Sequence, residues 1–153
     1  MSTQPHDAGD WRHHLLETPA EIRALLERTR RVAVLGIKTA ATGQPAFYVP
    51  EWVQRAGLEV VPVPVYFPDV TEILGERVYR RLVDVPGEID LVNVFRRPKD
   101  IPPHVPDILA KRPAAVWFQL GIRNDEAAER IARAGIDVVQ DRCLMIEMRR
   151  ARG

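Results

Sequence analysis

The chain has 153 residues, a length that suits one domain with a sizeable apolar core. Its 22 Lys and Arg side chains nearly balance 21 Asp and Glu, so no global charge draws nucleic acid or an anionic membrane surface. No apolar run approaches the roughly 20 residues of a membrane span, and the polar N-terminus lacks a signal-peptide core.

The single cysteine and the histidines also narrow the class of protein. Cys143 allows no internal disulfide, which favours a cytoplasmic location. The adjacent Arg142 could lower the pKa of the thiol, but the apolar neighbours favour a buried small residue. Asp141 and Arg142 are expected to pair with each other or to cap the last helix. The four histidines show no metal-ligand spacing, so we expect no metal site.

Strand and helix patterns alternate along the chain. The sequence predicts a loose tail over 1–10, then a single domain over 11–153. The first elements are a helix from the capping box at Thr18 to about Arg30, a strand over 32–35, a helix from about Pro45 to a stop at Gly57, and a strand over 59–63. An irregular segment over 66–87 follows, with a short helix at about 79–82.

The second half of the chain continues the alternation. Its predicted elements are a strand over 90–95, a late-starting helix within the proline-containing segment 99–111, a strand over 114–118, a helix from Asn124 to about Ala134, a strand over 136–139 and a helix over 144–150. Such alternation predicts an α/β, Rossmann-like doubly wound fold. Its mostly parallel sheet has about five strands, with helices on both faces.

The loop after the first predicted strand is the strongest sign of a ligand site. In doubly wound folds, phosphates bind at this turn because backbone N–H groups and the helix N-terminus both point at the ligand. The alternative is that Gly36 only makes a tight turn. The residues predicted to bind phosphate here are Gly36, Ile37, Lys38, Thr39, Thr42, Gly43, Gln44 and Pro45.

Two familiar nucleotide motifs do not fit this loop. The dinucleotide fingerprint needs two further glycines after Gly36 and an acidic residue ending the second strand, whereas Glu59 stands at the start of that strand. A P-loop is excluded because Gln44 and Pro45 follow Gly43. The loop therefore indicates phosphate, and the second strand disfavours NAD.

Polar and aromatic side chains follow the other predicted strands. Carboxyl ends of parallel strands meet at one edge of the sheet, where ligands bind. Adjacent arginines are suited to phosphate oxygens, although a solvated loop pair with no ligand is a comparable alternative. Gln119 either binds a ligand or satisfies backbone groups. The further candidates at this edge are Pro64, Phe95, Arg96, Arg97, Phe118 and Gln119.

No catalytic constellation is recognisable in the sequence. No Ser, His and Asp set falls on the strand ends, and His104 lies in a proline-rich segment with no nucleophile nearby. We therefore expect no catalysis by this chain on its own.

A series of short segments resembles the single-domain CoA-binding protein family. That family has a Rossmann-like fold similar to the N-terminal CoA-binding domain of the succinyl-CoA synthetase α subunit. The resemblance covers about residues 18–148. Its matching segments are 31–36, Tyr48-Val49-Pro50, 57–63, Ile73-Leu74-Gly75-Glu76, Val92-Asn93-Val94-Phe95-Arg96, 116–122 and Asp141-Arg142-Cys143-Leu144-Met145.

The resemblance implies CoA at the strand ends. Thr42-Gly43-Gln44 would line the pyrophosphate, and Phe118-Gln119-Leu120 would line the pantetheine arm. One departure is that family members commonly show Pro-Val-Asn-Pro where this chain has Pro62-Val63-Pro64-Val65, so the asparagine contact near the adenosine is missing. The ligase's phosphorylated histidine and second domain have no counterpart here, so synthesis of acyl-CoA is not implied.

The leading hypothesis is a cytoplasmic protein that binds CoA or an acyl-CoA without catalysis. One alternative is an NAD(P)-dependent oxidoreductase, which the missing glycines and the missing acidic residue disfavour. The other is an interaction module that senses a nucleotide in the same cleft for a protein partner that the sequence does not identify.

Overall fold

The computed structural model describes residues 10–153, so residues 1–9 of the predicted tail lie outside the described part. The helices are α1 (Pro19–Glu27), α2 (Pro45–Arg55), α3 (Val105–Lys111), α4 (Asp125–Arg133) and α5 (Leu144–Arg152). The strands are β1 (Arg31–Leu35), β2 (Glu59–Val63), β3 (Glu72–Ile73), β4 (Glu76–Arg77), β5 (Leu91–Val94), β6 (Ala115–Phe118) and β7 (Asp137–Val139). No described helix is long and apolar enough to span a bilayer.

The main sheet has five strands in the order β2-β1-β5-β6-β7, and every neighbouring pair is parallel. The α/β Rossmann-like prediction is therefore confirmed. The chain leaves β1 for β2 on one side and later returns to β5 on the other side. The strand order thus reverses between β1 and β5, which is where doubly wound sheets form their ligand crevice.

Alternate residues of the strands pack on opposite faces of the sheet, because the side-chain period of a strand is two. Ala33, Leu35 and Val94 belong to the core cluster that α3 and α4 cover. Val32, Val34 and Trp117 belong to the second cluster, which α1, α2 and α5 cover. Both faces are apolar and buried, as a parallel sheet requires.

The capping box at the start of α1 is present, with the Glu21 N–H donating to Thr18 Oγ1 and the Thr18 N–H donating to the Glu21 carboxylate. The predicted end near Arg30 is wrong, since α1 ends at Glu27. The N–H groups of Arg30 and Arg31 instead donate to Asp90 Oδ2, at 2.9 and 2.8 Å. Asp90 therefore directs the chain into β1 before the helix can continue.

The segment between β2 and β5 differs most from the prediction. The short helix expected at 79–82 is absent, and a 3₁₀ turn at Leu82–Asp84 follows a small antiparallel hairpin of β3 and β4. Leu74 and Gly75, with φ of 57° and 75°, make the hairpin turn. Two-residue strands carry too little hydrophobic alternation to be recognised from sequence.

Candidate functional site

The carboxyl ends of the central strands lie at one level. Leu35 is in register with Val63 of β2 and Val94 of β5, and Val94 is in register with Phe118 of β6. The residues that follow these four positions are therefore neighbours along one edge. They are the predicted site residues Gly36, Pro64, Phe95 and Gln119.

Gly36 stands where the two halves of the sheet diverge, and it is closely packed. Its N–H donates to the Val63 carbonyl at 2.8 Å, and its φ is +87°. A β-carbon at this position would lie 2.3 Å from the Phe95 carbonyl oxygen. Glycine is thus required by the neighbouring strand end itself, whether or not a ligand approaches.

The loop between Gly36 and α2 presents unpaired backbone donors. A 3₁₀ turn at Ala40–Thr42 and Gly43 in the left-handed region lead into α2, whose N-cap is Gln44. Within residues 10–153, the N–H groups of Thr39, Ala40 and Ala41 donate no hydrogen bond. Free N–H groups beside a helix N-terminus form a ready site for an anion.

The side chains of this loop divide into exposed and buried ones. Lys38 Nζ donates to Gln44 Oε1 at 2.6 Å, and the Thr42 hydroxyl donates to the Thr39 carbonyl at 2.8 Å. Pro45 is exposed in the first turn of α2, whereas the Ile37 side chain is buried among the core residues. Ile37 therefore faces the site only through its backbone.

Arg96 and Arg97 have different surroundings. The Arg97 side chain is 69% exposed and donates from Nε to Asp100 Oδ2 at 2.9 Å. The Arg96 side chain is 14% exposed, and its Nε is buried without a partner. Its other nitrogens make only long contacts, at 3.4 Å to Tyr66 Oη and 4.0 Å to Asp100. Of the two arginines, Arg96 is therefore the one without a close hydrogen-bond partner.

The charge of Arg96 changes the pKa of two neighbouring side chains. Its hydrogen bond and its charge lower the pKa of Tyr66, whose ring centre lies 5.5 Å from the guanidinium carbon. Burial, and then the charge of Arg96, lower the pKa of His104. His104 is therefore held in its neutral form at neutral pH.

The residues at the end of β6 are buried. Phe118 is fully buried in the core, and Gln119 is only 4% exposed. Gln119 Oε1 accepts hydrogen bonds from Asn93 Nδ2 at 3.3 Å and from the Leu144 N–H at 3.2 Å. Gln119 therefore links β5 to the start of α5, while the next residue, Leu120, is 61% exposed.

The Asp141-Arg142-Cys143 segment lies beside this edge and is held there by hydrogen bonds. Asp141 Oδ1 accepts from the Gly121 N–H at 2.7 Å, and Arg142 donates to the Glu17 carbonyl at 3.2 Å. The expectation that these two residues pair or cap the last helix is therefore wrong. Cys143 is a buried N-cap residue, which confirms the interpretation of a buried small side chain.

The structure adds contributors that the sequence analysis missed. Ala40 and Ala41 act through their backbone, and no side-chain pattern distinguishes them. Tyr66 reaches the edge from the loop after β2, and His104 reaches it from a 3₁₀ turn before α3. From the sequence, His104 is considered only as a possible catalytic group. Within residues 10–153, no group of three or more His, Cys, Asp or Glu side chains is suited to a metal ion.

The chain is similar to a protein family, to a curated relative and to solved structures. Residues 30–149 match the family described as CoA binding domain. The uncharacterized protein YneT of Bacillus subtilis (strain 168) is 33% identical over 127 residues, covering 83% of this chain and 91% of YneT. The structure of cell-free ID.343 from Thermus thermophilus matches with a TM-score of 0.81 and 38% identity, over 88% of this chain and 99% of that one. A hypothetical protein from Pyrococcus horikoshii OT3 matches with a TM-score of 0.81 and 30% identity, over 100% of this chain and 99% of that one.

Proposed function

Because the chain belongs to the CoA binding domain family, we propose that it binds CoA or an acyl-CoA at the carboxyl edge of its sheet without catalysis. The observation that carries the proposal is the set of free N–H groups at Thr39, Ala40 and Ala41 beside the switch point. Backbone donors at a helix N-terminus recognise phosphate whatever the nucleotide attached to it.

The loop takes the pyrophosphate in this proposal. Thr39 contributes its free N–H, Ile37 adjoins the phosphates through its backbone, Lys38 adds a positive charge, and Gly36 makes the turn that positions them. Arg96 lies beside Gly36, and its Nη groups make only long contacts, so an incoming phosphate oxygen gives this guanidinium a close partner. The residues proposed to complete this part of the site are Thr42, Gly43, Gln44, Pro45, Pro64, Phe95 and Arg97.

The pantetheine arm runs toward the end of β6. The Gln119 side chain is held by Asn93 and the Leu144 N–H, so it shapes the floor of the site. The Phe118 side chain is buried in the core, so this residue contributes to the pantetheine site only through its backbone. Leu120 offers an exposed apolar surface beside this floor. The methylene groups and the thiol end of the pantetheine arm suit such a surface better than a second nucleotide does.

The absence of catalysis in the proposal rests on where the reactive side chains lie. Cys143 is buried on the face of the sheet that α5 covers. His104 precedes α3 on the other face. The thiol and the imidazole are therefore separated by the sheet and cannot form a nucleophile and base pair.

The proposal is tested by identifying what the native protein carries. We expect mass spectrometry of small molecules released from the purified, never-denatured protein to detect CoA or an acyl-CoA, with the mass of the acyl group identifying the thioester. Recovery of NAD(P) instead of CoA would contradict the proposal and favour the oxidoreductase alternative.

A further inference from the structure

A surface groove lies between α1 and α5, which pack side by side on one face of the sheet. Two adjoining cavities of about 190 and 220 Å³ form the groove, and Ala151 lines both of them. Ile22 and Met148 are buried at its floor, and Leu26 is half-buried beside them. No residue assigned to the CoA site lines either cavity, so this surface is separate from that site.

Positive side chains predominate along this groove. Its cavities are lined by three glutamates and by five arginines, which are Arg23, Arg30, Arg142, Arg150 and Arg152. Within residues 10–153, Arg150 is the one that pairs with a carboxylate, at 3.0 Å from Glu147. Arg30 and Arg142 donate only to backbone carbonyls in that part of the chain. The groove therefore carries an excess of positive charge.

The shape and the charge of the groove indicate what covers it. The helices α1 and α5 have nine residues each, a length of about 13.5 Å at 1.5 Å per residue. A helix of two to three turns therefore fits along them, with apolar residues at i, i+3, i+4 and i+7 against the floor. Acidic residues beside that apolar stripe would face the arginines. A bilayer fits less well, because Ile22 and Met148 are only 3% and 4% exposed and lie too deep to insert among acyl chains.

We propose that this groove binds an acidic amphipathic helix of a partner protein. The apolar side of that helix packs on Leu26 and on Ala151, whose small side chain allows a close approach. Its carboxylates pair with the exposed guanidinium groups of Arg23 and Arg152. The inference goes beyond the proposed function, because it adds a protein partner on a surface that CoA does not occupy.

Fluorescence anisotropy with two labelled synthetic peptides tests the proposal. Both peptides carry leucine at i, i+3, i+4 and i+7, and they differ only in having glutamate or lysine beside that stripe. The wild-type protein should bind the glutamate peptide at least about tenfold more tightly than the lysine peptide. Arg23→Glu, at an exposed position, should weaken binding of the glutamate peptide about fivefold. Ala151→Gln keeps every charge in place but obstructs the floor, so it should weaken the same binding about tenfold.

Arg133→Glu is the matched control. It makes the same change of charge at an exposed pair on α4, which covers the opposite face of the sheet. It should change the affinity for the glutamate peptide by less than about twofold. Thermal unfolding shows whether each variant keeps the wild-type fold, and Arg23→Glu and Ala151→Gln should leave the affinity for CoA unchanged.

Four results would overturn the inference. Equal affinity for the two peptides, or equal losses in Arg23→Glu and Arg133→Glu, would mean that the groove does not select the helix. Binding of phosphatidylglycerol vesicles without binding of the glutamate peptide would assign the arginines to a membrane. A dimer in sedimentation velocity that Ala151→Gln dissociates would assign the groove to a second copy of this chain. Each of these results leaves the CoA proposal standing, whereas a wild-type protein that binds the glutamate peptide but not CoA would overturn the proposed function alone.

Discussion

The close approach of Gly36 to the neighbouring strand end makes a quantitative prediction for Gly36→Ala. A residue with a β-carbon in the left-handed region costs about 1–2 kcal/mol. The new atom would also lie 2.3 Å from the Phe95 carbonyl oxygen, where ordinary contacts are 3.4–4 Å. Forcing such an overlap apart costs typically about 1–3 kcal/mol. The substitution should therefore lower the free energy of unfolding by roughly 2–5 kcal/mol.

Gly43 provides the matched control in the same loop. Its φ is also positive, at +63°, but a β-carbon there meets nothing within 4 Å. Gly43→Ala should therefore lose only the backbone contribution of about 1–2 kcal/mol. Urea unfolding of both variants measures the difference. Equal losses would refute the reasoning, because the overlap with Phe95 would then cost nothing.

Three further predictions concern individual side chains. Arg96→Ala should weaken the affinity for CoA about tenfold or more, since a charge-assisted contact contributes about 1.5–3 kcal/mol. Arg97→Ala, at an exposed position, should change the same affinity by less than about threefold. Equal losses of affinity in calorimetric titration would contradict this distinction. Thr39→Ala should cost about 1 kcal/mol of binding or less, because Thr39 acts through its backbone, and a larger loss in the same titration would assign its hydroxyl to the ligand. Burial and then Arg96 lower the pKa of His104 below 6.5, so the unfolded chain binds that proton more readily and stability falls as pH drops through 6.5. Urea unfolding at about pH 7.5 and about pH 5.5 should show a smaller loss for His104→Gln than for the wild type, and identical losses would contradict this.

The sheet and the turn between β1 and α2 could be predicted because their signals are local. The apolar run before Gly36, the proline at the start of α2 and the glycine after it mark a strand, a turn and a helix within a few neighbouring residues. The order of these units along the chain then restricts the sheet to a parallel, doubly wound arrangement. The structure confirms that arrangement.

The parts that escaped prediction depend on contacts between distant residues. Tyr66 and Arg96 are separated by 30 positions, and the carboxylate of Asp90 reaches back 60 positions to the Arg30 N–H. Gln119 shows the same limit, since an amide after a strand looks the same in sequence whether it faces a ligand or Asn93. Tertiary packing, which local patterns do not contain, decides each of these cases.

Calorimetric titration of the wild-type protein with CoA, and separately with NAD, tests the central claim most directly. We expect CoA to bind with a micromolar Kd, corresponding to about −8 kcal/mol, and NAD to bind far more weakly. The reason is that the loop between β1 and α2 has free N–H donors, while the end of β2 offers Pro64 in place of a carboxylate for the ribose of NAD. Absence of CoA binding, or NAD binding as tight as that of CoA, would contradict the account.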